Sequence, residues 1–186
     1  SQLLTRPVQG LPVRYRAVCR PQLAGLDLDA KVALAARVLH AMGLEQHLAP
    51  LVLLVGHGSQ SANNAHAAAL DCGACCGQTG EVNARSLALL LNDPAVRQGL
   101  RGAGVAIPGS TTFMACLHNT TTDEIEGFDL DLLPTPARHR WERLQDVLAQ
   151  AGDQVRRERA PALQLDPRAP HGALLVVDLH PRSPWR

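Results

Sequence analysis

Apolar positions along this chain fall into two kinds of run, and the contrast between them predicts an α/β fold. In LDAKVALAARVLHAMG, residues 28–43, Val32, Leu34, Ala35, Val38, Leu39 and Met42 recur at helical spacing and form one stripe. Asp27 or Asp29 supplies a side-chain cap at its start, and Gly43 the stop. The run LVLLV, residues 51–55, shows no alternation and is partly β-branched, which predicts a strand buried in a parallel sheet. GHGSQSANN, residues 56–64, then reads as a loop at the carboxyl end of that strand, where open α/β sheets place their ligands.

Helical spacing returns in EVNARSLALLL, from Glu81 to Leu91, and Pro94 suits the first turn of another helix, PAVRQGLRG. GVAIP (104–108) and TTFMACLHNT (111–120) read as two further strands, the second ending in a polar loop. DLDLLPTP reads as a linker, and residues 137–160 as a strongly charged, solvent-facing helix. The expected architecture is one α/β domain over residues 1–160, a mainly parallel sheet flanked by helices. Residues 161–186 form a Pro-rich tail without a clear period. No internal repeat or low-complexity block interrupts this order.

Composition narrows the class. The 186 residues suffice for one domain with its own core, built from Leu, Val and Ala because 46% of residues are apolar and only 3% aromatic. A net charge of +1 with scattered charges, and few rings for base stacking, argue against nucleic-acid binding. No uninterrupted apolar stretch reaches the roughly 18–20 residues of a membrane helix. The opening SQLLTRPVQG shows no basic-then-apolar signal pattern and no lipidation motif. Five cysteines, three of them within five residues, fit metal-binding or reactive thiols in a reducing setting better than a disulfide framework.

The chemistry concentrates in residues 51–77, where a strand delivers His57 into a glycine-rich segment and Cys72, Cys75 and Cys76 follow. Zinc favours imidazole nitrogen and thiolate sulfur in a tetrahedron. Glycines 56, 58, 73 and 77 are expected to let the backbone bend beside such an ion. Each residue also has a plainer reading. His57 could bond only to backbone, and Cys72 could pack as a small apolar side chain. Cys75 reads as structural and Cys76 as packing. Ser59 lacks a G-x-S-x-G context and reads as a loop hydrogen-bonding group rather than a nucleophile. Asp71 either caps its turn or orients a ligand. His118 either relays protons or makes a strand-end hydrogen bond. His66 reads as a surface residue, Asp123 and Glu124 as turn caps, and Arg85 as a partner for Asp71 or Glu81.

The segments GHGSQSANN, ALDCGACCGQTGEVNAR, LNDPAVR and FMACLHNTTTDE together resemble the DabA family, over roughly residues 30–130. That resemblance implies a β-carbonic-anhydrase-like half-domain and a zinc site in which a Cys-x-Asp-x-Arg segment supplies one thiolate and an Asp–Arg pair. His57 and Cys72 would be the remaining zinc ligands. It further implies CO2/bicarbonate chemistry coupled to ion flow through a membrane partner, DabB, at the cytoplasmic face of the bacterial inner membrane. Two departures stand out. Cys19 in AVCRPQ and Cys116 in MACLHN are not in a Cys-x-Asp-x-Arg context, and Cys76 replaces a glycine of the family pattern. The chain is therefore expected to be an internal piece of a longer protein, inactive as a carbonic anhydrase by itself. A different class of function is a non-catalytic zinc or redox module using His57 and the Cys72–Cys76 cluster, with His66 as a further donor. A third is a serine hydrolase built on Ser59.

Overall fold

The computed structural model describes residues 20–60, 71–73 and 77–168; Cys19, His66, Cys75, Cys76 and residues 169–186 lie outside the described residues. Helix α1 spans Leu28–Ala41, and its start is set by Asp27, whose carboxylate accepts from the Ala30 N–H at 2.8 Å. Strand β1 (Leu51–Gly58) follows. Helix α2 (Glu81–Asn92) runs directly into α3 (Pro94–Gly102), with Asp93 capping α3 through the Ala95 and Val96 N–H groups. Strands β2 (Thr112–Asn119) and β3 (Glu124–Gly127) come next, then a 3-10 turn (Leu130–Leu132) and the long helix α4 (Thr135–Arg159).

The sheet has the order β1-β2-β3, with β1 and β2 parallel and β2 and β3 antiparallel. It is an α/β arrangement with helices on both faces. On one face Val52, Leu54, Phe113 and Ala115 pack with Ala35, Leu39, Leu90, Leu91, Val96 and Leu100 from the first three helices. On the other, Leu51, Leu53, Met114 and Cys116 pack with Ala137 and Trp141 of α4. Apolar packing meets both faces of this strand over Leu51–Leu54, which is why LVLLV does not alternate, while Val55 is left exposed.

Three expectations change. GVAIP is not a strand: residues 105–108 are an irregular link whose Val105 and Ile107 are nonetheless buried, so the apolar pattern reflects burial rather than pairing. Strand β1 continues through Gly58, taking in the first three residues of the expected loop. Helix α4 is not simply solvent-facing, because Ala137, Trp141, Gly152 and Arg156 are buried.

Candidate functional site

The carboxyl end of β1 gathers the sequence-predicted residues. His57 is the penultimate residue of β1 and stands in register with His118 of β2. Side chains at register partners of neighbouring strands project from the same face, so two imidazoles share the face that also carries Cys116. His57 is exposed. The His118 Nε2 lies 3.3 Å from Asp123 Oδ1.

Cys72 reaches this end of the sheet through two tethers. Its N–H donates to the Gln78 carbonyl at 3.0 Å, forming a small antiparallel bridge closed by Gly77 N–H donating to the Cys72 carbonyl at 3.1 Å. Two residues after Gln78, the Gly80 N–H donates to the His57 carbonyl at 2.8 Å. From the other side, Ser59 donates both its N–H (2.8 Å) and its hydroxyl (3.0 Å) to Asp71 Oδ1. Asp71, next to Cys72, is thus bonded to Ser59, two residues after His57, and His57 itself is bonded to Gly80, two residues after the bridge partner of Cys72.

Of the four glycines expected to bend the chain, Gly77 alone has positive φ, +74°. Gly56 works differently. A Cβ there would stand 2.5 Å from the Gly80 carbonyl oxygen, so its lack of a side chain permits backbone contact rather than a turn.

Behind the strand ends, a network that local sequence patterns did not announce holds the loop 120–124. Asp123, buried and at φ +57°, pairs with Arg159 at 2.5 Å as well as with His118. Arg156 donates to the Thr122 carbonyl at 2.6 Å, and Arg159 to the Thr120 carbonyl at 3.4 Å. Gly152 of α4 sits against the Asp123 carbonyl, where a Cβ would approach to 2.4 Å. The turn is capped by Asn119, whose Oδ1 accepts from the Thr121 and Thr122 N–H groups at 3.0 and 3.4 Å. Asp123 is therefore a buried ion-pair partner, not the expected cap, while Glu124 accepts from the Thr122 hydroxyl at 2.9 Å.

Arg85 pairs with Glu81 at 3.1 Å, one of its two expected partners, and more closely with Asp129, both of whose carboxylate oxygens lie 2.8 Å away. Asp129 raises the Arg85 pKa above its ordinary value, against the opposing cost of burial. Burial alone lowers that of Arg97, whose guanidinium donates to the Leu91 and Thr111 carbonyls at 2.6 and 2.9 Å. Burial also pushes the Cys116 thiol up to about 12, leaving it protonated and inert.

An open cleft of about 1370 Å³ adjoins the strand ends, with Ser59, Asn119 and Asp123 at one end and Trp141 and Arg156 along its wall. Among the described residues no group of three His, Cys, Asp or Glu side chains could hold a metal ion. His57 and Cys72 have the donor chemistry zinc takes, imidazole and thiol, and make two of the three or four protein ligands such an ion requires. By donor chemistry these two residues fit zinc, and no third donor joins them among the described residues.

Sequence comparison agrees with this α/β unit being part of something larger. A family model described as "Probable inorganic carbon transporter subunit DabA" matches residues 4–183. This chain belongs to the DabA family. It is 72% identical over 166 residues to a probable inorganic carbon transporter subunit DabA of Methylovorus glucosotrophus, covering 89% of this chain and 20% of that protein. It is 73% identical over 167 residues to that of Ralstonia pickettii (90% and 19%) and 50% identical over 162 residues to that of Hydrogenovibrio crunogenus (87% and 19%). The chain spans about a fifth of the length of these curated relatives. No solved structure matches it.

Proposed function

We propose that this chain is the portion of an inorganic carbon transporter subunit that contributes His57 and Cys72 to a zinc ion, the remaining ligand coming from elsewhere in the parent polypeptide. One observation carries this reading. The paired tethers Ser59–Asp71 and His57–Gly80 hold the two donor-bearing segments together at the carboxyl ends of parallel strands. The description borne by the relatives, a transporter subunit for inorganic carbon, supplies the substrate class: CO2 or bicarbonate.

Zinc held there by His57, Cys72 and a further ligand would supply Lewis acidity for CO2 hydration. The chain's own residues hold the donors in place. Asp71, fixed by two donors from Ser59, orients the segment that bears Cys72. In this reading His118, beside His57 in the register and bonded to Asp123 through Nε2, accepts or returns a proton at Nδ1. The membrane partner in this reading is a DabB-like ion-translocating subunit, engaged at the cytoplasmic face of the bacterial inner membrane. Among the described residues no helix is long and apolar enough to cross a membrane.

Metal analysis of the full-length parent protein tests the assignment. The expected result is about one zinc per chain, lost in His57→Ala and in Cys72→Ala. Zinc content unchanged in both variants would refute it.

A further inference from the structure

Among the described residues the outer edge of β1 is unpaired over Leu51–Val55. The N–H groups of Thr112, at the start of β2, and of Thr120, just past its end, donate to the carbonyls of Pro50 and Gly58, so the even-numbered backbone groups of β1 face β2. Strand geometry then turns the N–H and C=O of Leu51, Leu53, Val55 and His57 the other way. The His57 carbonyl confirms this direction by accepting from Gly80. Among the described residues, nothing hydrogen-bonds to the outward groups of Leu51, Leu53 and Val55.

The sheet's two edges are built differently. Strand β3 has four residues, Glu-Ile-Glu-Gly, short and charged in the way natural edges discourage pairing. Strand β1 has eight residues, and LVLLV contains no charge and no proline. Val55 is 49% exposed although it lies in a run otherwise suited to a sheet interior. Four-fifths of the length of the curated relatives lies outside this chain.

We infer that Leu51–Val55 is an interior strand of the parent protein's sheet, and that its outer edge pairs with a further β-strand from the parent polypeptide outside these 186 residues. The Gly80 bond to His57 ends that pairing, so the added strand stops short of the histidine. The inference stands apart from the zinc reading, since a parent protein without zinc at His57 leaves it intact.

Two measurements on the full-length parent protein decide it. The first is amide hydrogen exchange on the wild type, expected to show Leu53 and Val55 protected by about 100-fold or more over free amides. Exchange at unprotected rates, or protection lost on dilution to the monomer, overturns it. The second places photoreactive p-benzoylphenylalanine at position 55 and maps the adduct by mass spectrometry. A cross-linked peptide from the same polypeptide outside residues 1–186 is expected. A peptide from within residues 1–186, a covalent dimer, or no adduct in a folded protein overturns it.

Discussion

Gly56 and Gly80 meet backbone to backbone: a Cβ on Gly80 would stand 2.9 Å from the Gly56 Cα. This contact seats the start of α2 against the end of β1 and allows the Gly80 N–H to reach the His57 carbonyl. A methyl group has no room there, and the obstructing atoms are backbone. Gly56→Ala in the full-length protein should therefore cost about 1–3 kcal/mol of stability, the range for overpacking. Thermal unfolding measures this, and a Tm equal to the wild type's would contradict the close approach.

Asp71 touches Ser59 twice and precedes Cys72 directly. Its carboxylate should matter to the metal without ligating it. Asp71→Ala is expected to weaken zinc affinity about 10–100-fold, the usual effect of removing a group that orients a ligand. Competition with a chromophoric chelator gives the affinity; a value within twofold of wild type would separate Asp71 from the site.

Asp129 accepts from Nε and Nη2 of the buried Arg85 while itself adopting φ +52°. Asparagine tolerates that backbone, so Asp129→Asn removes the charge and one of the two acceptors without adding backbone strain. It leaves Arg85, 4% exposed, with Glu81 as its carboxylate partner, and should cost about 1–3 kcal/mol. Denaturant unfolding of the full-length protein checks it, with no change in midpoint as the contrary result.

The Cys116 thiol, pushed up to about 12, stays protonated at pH 8 and is sealed beneath Trp141. An alkylating reagent at pH 8 should leave the peptide containing Cys116 unmodified in the native protein and modify it after denaturation. The sign follows from burial. An acid whose folded pKa lies above its unfolded value favours the fold while protonated, so this contribution is lost as pH rises from about 9 towards 12. Modification of the native protein at pH 8 would contradict the burial.

Much of the frame was legible because short-range patterns govern it. The stripe of α1, the Asp27 cap, the glycine stop and the helix at Pro94 each follow from residues a few positions apart. The unalternating LVLLV marked a strand covered on both faces. GVAIP misled for the same reason, since an apolar run reports burial whether or not its backbone pairs. The sequence marked His57 and Cys72 as candidates by residue type alone, and the loop serine appears as a donor to Asp71, a hydrogen-bonding role its context had suggested. The clamp on residues 120–124 was not legible. Arg156 and Arg159 look like ordinary charges on a polar helix, and the groups they hold lie 34 and 36 residues earlier. Gly152 gave no signal because what it accommodates is a carbonyl from another element.

That separation has a consequence for biosynthesis. The loop bearing Asp123 leaves the ribosome well before the arginines that pin it. At roughly 5–20 residues per second, the 36 residues between Asp123 and Arg159 take about 2–7 s to translate. Throughout that interval the nascent chain carries a buried-type carboxylate with its cationic partner not yet made, so the sheet's carboxyl end matures late, in a single step, when α4 arrives.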